Sequence, residues 1–273
     1  MTTTPFISIV IPISGRLQYV TEALNSVYQQ VKIDRSDIEI FIVEDDHPKD
    51  TIRTEIKKLY PDVNIIINHN EHSPAGSRNA ALSLVKGKYL VFLDSDDKLK
   101  PKFLSEMLAT LEKDKLCSGT VCLSNTVFDG PYKLTRKIKL VFLMLIRDVS
   151  MFISYIINHK YLFPSAFYLC QISHMMFKAD KIKGLKFNYT YSRGGEDWDF
   201  FNQCLKRGPI RIFPQRLLTF RYSQISSTNL SINLQLKWQS YKLLASELPP
   251  ERKRGLHYKL FLYYIQLFKG KNA

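Results

Sequence analysis

Carboxylates and cysteines are both in short supply in this 273-residue chain. Its 25 Asp and Glu are outnumbered by 39 Lys and Arg, leaving a formal net charge of +14. The four cysteines, Cys117, Cys122, Cys170 and Cys204, form no Cys-x-x-Cys pair. That argues against a zinc framework or a disulfide scaffold and suits a reducing, cytoplasmic compartment. No Gly-x-Gly-x-x-Gly follows the first strand-like segment, whose loop reads Pro12-Ile13-Ser14-Gly15-Arg16, so the dinucleotide-binding fingerprint is missing; no phosphate-binding Gly-x-x-x-x-Gly-Lys-Ser/Thr loop occurs either. The N-terminus lacks a basic leader and a cleavage pattern, and no signal peptide is expected. Long apolar runs are absent too. The most apolar stretch, residues 138–157, is broken by Arg147 and Asp148, short of the ~20 uninterrupted residues a spanning helix needs. Two readings remain for it: burial beneath a loop, or dipping into a membrane surface, which the preceding Lys133, Arg136, Lys137 and Lys139 favour.

What is present is uneven charge. Residues 1–129 balance to −3, residues 130–192 to +8 and residues 203–273 to +11. A basic back half calls for an anionic partner, whether nucleic acid, lipid headgroup or a phosphate-bearing substrate. No nucleic-acid recognition motif accompanies it, which sets that class aside.

The first hundred residues alternate between short apolar runs and helix-period segments, the pattern of a parallel α/β array with right-handed crossovers. Strands are expected at Phe6–Ile13, Asp37–Val43, Val63–Asn68 and Tyr89–Leu93. Helices are expected after residue 17, over Thr51–Tyr60 and over Pro74–Lys86, the last closed by Gly87 as a C-cap. Beyond residue 225 the tail reads as two basic amphipathic helices separated by Pro249-Pro250. They would form either a membrane-facing surface or a docking element.

Four clusters fall at or beyond strand ends. Val43-Glu44-Asp45-Asp46 closes the second strand, Ala75-Gly76-Ser77-Arg78-Asn79 opens the third helix, Asp94-Ser95-Asp96-Asp97 closes the fourth strand, and Gly195-Glu196-Asp197-Trp198 comes a hundred residues later. Ends of parallel strands share one rim, where open α/β sheets bind ligands. Three carboxylates within four residues repel unless a hard cation such as Mg²⁺ or Mn²⁺ sits between them. Acids, a cation and an arginine at a helix N-terminus suit a nucleoside diphosphate, whose departure a metal ion assists. A late carboxylate on the same rim could serve as general base.

Taken in order, Ser8-Ile9-Val10-Ile11-Pro12, Val43–Asp46, Gly76-Ser77-Arg78-Asn79-Ala80-Ala81-Leu82, Tyr89–Asp97 and Gly195-Glu196-Asp197-Trp198 resemble the family 2 glycosyltransferases of GT-A fold over roughly residues 6–222. The resemblance implies a Rossmann-like, mostly parallel sheet flanked by helices. It implies a glycosyltransferase domain over 1–225, with a donor half (1–100) and an acceptor half (101–225), followed by a basic helical extension (226–273). The implied activity is inverting transfer of a sugar from a nucleotide-sugar, usually a UDP-sugar, to an acceptor hydroxyl in bacterial surface-polysaccharide or glycoconjugate synthesis. Acceptors would be saccharides or lipid-linked saccharides, and the chain would lie in the cytoplasm or on the membrane's cytoplasmic face.

On that resemblance Pro12, Ser14, Asp45, Arg78, Asp94 and Ser95 line the nucleotide-sugar site. Asp96, with Asp94, would hold Mn²⁺ or Mg²⁺. Asp197, paired with Glu196, is the base, and Trp198 either walls the acceptor pocket or sits in the core. The family's metal-binding histidine has Ser223 or Gln224 in its place, which leaves a third ligand open and keeps a non-catalytic sugar-nucleotide-binding scaffold as the alternative.

Overall fold

The computed structural model describes residues 6–13, 16–45, 50–157, 160–162, 171–191, 195–223 and 246. The side chains of Asp45, Asp50, Thr51, Lys139 and Ile157 fall outside that description, as do Ser14, the loop 46–49 and the tail expected to be helical.

An eight-stranded sheet runs in the order β3-β2-β1-β4-β7-β6-β8-β5. Its first half is parallel: β1 (Ile7–Pro12) lies between β2 (Ile38–Asp45) and β4 (Tyr89–Phe92), and β3 (Asn64–Asn68) borders β2. The crossovers are α1 (Leu17–Tyr28), α2 (Asp50–Leu59) and α3 (Pro74–Leu82). The alternation expected of a βα array is therefore what forms, with ends moved by one or two residues except in α3, which stops four residues short of Lys86.

The second half changes direction. Strand β7 (Met175–Lys178) runs antiparallel to both β4 and β6 (Gly119–Asp129). Strand β8 (Ile210–Ser223) is parallel to β6 and antiparallel to the short β5 (Lys98–Leu99). Between these strands lie α4 (Phe103–Glu112), α5 (Leu134–Ile157), α6 (Ala179–Ile182) and α7 (Glu196–Arg207). Because β7 opposes β4, its start, not its end, reaches the rim where β4 stops. The one-turn helix Ile172–His174 is placed there, and Ser173 Oγ accepts from the Asp94 amide at 3.0 Å.

Both faces of the sheet are covered, which is why its parallel strands read as continuous apolar runs. Side chains on a strand alternate between faces. Ile7, Ile9 and Ile11 pack with Val20, Leu24 and Met107 on one side, while Val10, Leu90 and Phe92 pack with Phe177, Phe200 and Phe201 on the other. Phe187 stacks on Phe200 at 4.1 Å between centroids and meets Phe92 edge-on at 5.1 Å, tying the late helix α7 to the parallel half.

Gly87 does not cap α3, which ends at Leu82 with Ser83 following it. The glycine serves a close approach instead: a Cβ there would stand 2.6 Å from the Ser8 amide nitrogen. Burial beneath a loop, one of the two expectations for 138–157, also fails. The segment is part of a single 24-residue helix, α5, with a large apolar face in solvent. Among the described residues no helix is long and apolar enough to cross a membrane.

Candidate active site

The parallel strands deliver their C-terminal ends to one rim. Pro12 is buried at the end of β1, and Asp45 ends β2 in register with Asn68 at the end of β3. Beyond β4 comes the acidic turn from Asp94 to Asp97. Helix α3 opens onto this rim: Ser73 is its N-cap, accepting from the Gly76 amide at 3.1 Å, and Pro74 occupies the first turn, where its missing N–H costs nothing.

Arg78, one turn into α3, is 3% exposed and joins the two ends of the sequence. One terminal nitrogen donates to Asp94 Oδ1 at 2.7 Å. The other donates to Asp197 Oδ1 at 2.8 Å and to Glu196 Oε1 at 3.4 Å. The guanidinium also lies 5.2 Å from the Phe187 ring centroid. Burial works against its charge, but Asp197, Asp94 and Glu196 outweigh that and hold its pKa above the usual arginine range. A buried guanidinium needs opposite charge beside it; here the two terminal nitrogens have it, while Nε is buried without a hydrogen-bond partner.

Glu196 and Asp197 begin α7. Gly195 precedes them with φ +125°, a conformation that favours glycine, and its amide donates to Glu196 Oε2 at 3.0 Å. Acids at this end and Lys206 and Arg207 at the other both agree with the helix dipole. Asp197 Oδ2 accepts from the Ile172 amide at 3.2 Å. The Asp197 carboxyl is pushed up to about 7, mainly by burial with Glu196 and Asp94 adding to it, against the pull of Arg78 and the Ile172 amide. A carboxylate poised near neutrality suits proton abstraction from a hydroxyl.

The acidic turn is clamped from behind by β8. The Arg221 amide donates to Asp97 Oδ1 at 3.0 Å, and its Nε donates to the Asp96 carbonyl at 3.1 Å. The guanidinium reaches on to Glu22 Oε2 at 2.5 Å and lies 4.4 Å from the Tyr19 ring centroid. Asp96 is half-buried; burial and the neighbouring Asp94 raise its pKa to about 6, against the pull of Arg221. Asp97 is fully buried, and burial, Asp94 and Asp96 carry its pKa well above the ordinary value. Among the described residues no three His, Cys, Asp or Glu side chains gather as a metal cage. The donor set still fits a hard divalent cation, because an oxygen ligand held up by burial and like charge is what such an ion relieves.

Arg78, Asp94, Glu196 and Asp197 are thus in mutual contact, with Ser95 (1% exposed) and Asp96 in the adjoining turn. Ser14 and the Asp45 side chain fall outside the described residues. Trp198 is 2% exposed and packs in the core, so the core role is the one its burial supports, and it has almost no surface to offer an acceptor. Glu44 is turned to the first part of α2, where Arg53 Nε donates to it at 2.9 Å. Sequence reasoning missed Arg221, Ser173 and the Ile172 amide. Arg221 stands in the very segment where a metal-binding histidine was sought. The other two are backbone and hydroxyl partners whose place depends on β7 running antiparallel, which local pattern does not reveal.

Known proteins resemble this chain in sequence and in fold. The family model described as glycosyl transferase family 2 matches residues 8–182. A poly(ribitol-phosphate) beta-glucosyltransferase of Bacillus spizizenii is 36% identical over 94 residues, 33% of this chain and 15% of its own length. A GalNAc(5)-diNAcBac-PP-undecaprenol beta-1,3-glucosyltransferase of Campylobacter jejuni is 32% identical over 111 residues, 39% of this chain and 33% of its own length. The chain therefore aligns with a third or less of each of these two relatives. In three dimensions it is similar to residues 1–349 of Staphylococcus aureus TarS in complex with UDP (TM-score 0.69, 16% identity, covering 98% of this chain and 73% of that one). It is also similar to the mannosyltransferase PcManGT of Pyrobaculum calidifontis in complex with GDP-Man and Mn²⁺ (TM-score 0.67, 16% identity, 96% and 70%). These structures share its GT-A fold.

Proposed function

The chain belongs to glycosyl transferase family 2, and from that premise we propose that it moves a sugar from a nucleotide-sugar to an acceptor hydroxyl with inversion at the anomeric carbon. One observation carries the reading: Arg78 binds Asp94 of the donor-side turn and Asp197 of the late acidic pair in a single buried cluster. A donor held at the strand rim and a base on α7 then face the same crevice.

In the proposed reaction the Asp197 carboxylate takes the proton of the acceptor hydroxyl. The oxygen attacks the anomeric carbon from the face opposite the leaving group. The bond from that carbon to the phosphate oxygen breaks, and its electron pair departs with the nucleoside diphosphate. Arg78 orients Asp197 and supplies positive potential beside the phosphates, while Glu196 secures the turn at Gly195. Pro12, Ser14, Asp45 and Ser95 contribute to the nucleotide-sugar pocket. Asp96 and Asp94 would hold Mn²⁺ or Mg²⁺, which when bound neutralises charge on the leaving diphosphate. Residues up to about 100 would form the donor half and those up to about 225 the acceptor half.

A UDP-sugar is the proposed donor. The UDP and UDP-GlcNAc complexes of TarS support it, and the Mn²⁺ in the mannosyltransferase complex supports a divalent ion. Poly(ribitol-phosphate) and an undecaprenol-linked saccharide, named for the relatives, point to a bacterial cell-surface polymer or lipid-linked saccharide as acceptor. A lipid-linked acceptor would bring the chain to a membrane surface.

Incubation with a panel of UDP-, GDP- and TDP-sugars, with and without Mn²⁺, tests the reading through release of nucleotide. Metal-dependent release from one donor class, and at least tenfold weaker metal-dependent nucleotide binding in Asp96→Ala, are expected. Donor binding without hydrolysis or transfer to any acceptor would make the protein a sugar-nucleotide-binding scaffold instead. Unchanged affinity in Asp96→Ala would remove that residue as a metal ligand.

A further inference from the structure

Helix α5 presents an apolar face to solvent that the sugar-transfer reading does not use. Ile138, Phe142, Leu145, Val149, Phe152 and Ile156 recur at alternating steps of four and three residues, each between 48% and 60% exposed. Val141 and Ile153 widen the stripe, one on each edge. The opposite side of the helix is anchored: Arg147 is 3% exposed and donates to Ser124 Oγ at 2.9 Å, and Met151 and Ser154 are buried. At 1.5 Å per residue the 24-residue helix is ~36 Å long. An apolar stripe of that length, continuous on one side only, is the geometry of a helix lying in an interface plane rather than crossing it.

Its ends are basic. Lys133 is exposed and Lys137 half-buried at the N-terminal end, where Arg136 lies against the Tyr132 and Tyr222 rings, and Lys160 is exposed just past the C-terminal end. A spacing of four and three residues also describes a coiled-coil seam. Such a seam takes charged pairs at its flanking positions to choose a partner, yet here four of the six are Val141, Ile146, Ile153 and Tyr155, with only Lys139 and Asp148 charged. Asp148 is already held by Arg147 and Arg216. The stripe also lacks the Tyr, Trp and Arg anchors on which protein interfaces depend.

We propose that the outward face of α5 is a docking surface for an anionic lipid bilayer, its apolar stripe entering the acyl boundary and the lysines at its ends meeting lipid phosphates. This goes beyond the sugar-transfer reading and does not rest on it.

The test is co-sedimentation of the full chain with vesicles of phosphatidylcholine alone and of phosphatidylcholine with 30% phosphatidylglycerol, at low and high salt. Wild type should sediment with the anionic vesicles and lose affinity with added salt. Phe142→Gln with Phe152→Gln, both at exposed positions, should weaken partitioning roughly 30-fold while leaving the thermal unfolding midpoint within a few degrees. Lys133→Gln with Lys137→Gln should weaken it roughly tenfold and flatten its salt dependence.

Failure of the wild type to sediment, or equal sedimentation of the Phe pair variant, would overturn the proposal. So would sedimentation-equilibrium data showing a dimer that the Phe variant dissociates, since the occupant would then be a second copy. Cross-linking of a cysteine placed at Leu145 to residues 224–273 in the presence of anionic vesicles would overturn it too, by showing that the tail covers the face. Donor turnover measured without vesicles separates the two readings: vesicle binding without turnover counts against the proposed enzyme and leaves the docking surface standing.

Discussion

Replacing Arg78 by Met tests the buried cluster most directly. The substitution keeps most of the side-chain length and removes the charge. It leaves Asp94, Glu196 and Asp197 facing one another with 29%, 12% and 20% of their side chains exposed. Breaking a buried ion pair from one side costs ~3–5 kcal/mol, because the surviving charge stays desolvated and unpaired. Partial access to solvent places this case near the lower end, at about 3 kcal/mol at pH 8.

The loss should depend on pH. Without the guanidinium the Asp197 carboxyl, already raised by burial, loses the charge that opposes the rise and binds its proton more tightly in the folded state than in the unfolded one. The folded variant then holds protons that the unfolded chain releases above about pH 4, so its stability falls as pH rises through that window and on to neutrality, and the deficit shrinks on acidification. Urea unfolding of wild type and variant at pH 5 and pH 8 measures both effects, provided the slope against denaturant is unchanged. Adding Asp94→Asn and Asp197→Asn to Arg78→Met should recover at least half the loss, because neutral groups of the same shape need no counter-charge. A deficit below about 1 kcal/mol at pH 8, or one equal at both pH values, would refute the cluster as a coupled buried unit.

Asp197→Asn should reduce transfer by roughly 10²–10⁴-fold with nucleotide affinity nearly intact, and in wild type kcat/KM should climb with pH through about 7 as the carboxyl ionises; a flat pH profile would exclude it as the base. His174 is buried, and burial together with Arg147 lowers its pKa to about 3. The unfolded imidazole gains a proton near pH 6.5 and the folded one does not, so His174 subtracts stability as pH falls from about 6.5 toward 3. Asp96, Asp97 and Asp197 act in the opposite sense, so the test is the difference between wild type and His174→Gln: the variant should lose less stability on acidification, and identical pH slopes would contradict the reasoning. Gly76→Ala would place a Cβ 1.9 Å from the Glu71 carbonyl oxygen at the start of α3; a loss of roughly 1–3 kcal/mol is expected from the forced backbone shift, read as a lower urea midpoint.

Local pattern carried the parallel half of this protein. Ile7, Ile9, Ile11 and Val10 announce a strand buried on both faces, and the Asp94–Asp97 turn announces a charged rim, because strand period and chain direction are local properties. That Asp197 joins Asp94 and Arg78 at one site is implied by the family resemblance and not by local pattern. Only the tertiary structure decided the partners. Strand β7 runs antiparallel beside β4, and this brings Ser173 and the Ile172 amide to the rim. Likewise β8 returns so that Arg221 clamps Asp96 and Asp97. Gly87 looked like a helix cap and proved to be a close approach to β1. The apolar run at 138–157 looked fit for burial and proved half solvent-facing. Letters along a chain report what each segment can bury or bond; which surface arrives to receive it depends on chain reversals a hundred residues apart, and those are settled by packing the whole sheet at once.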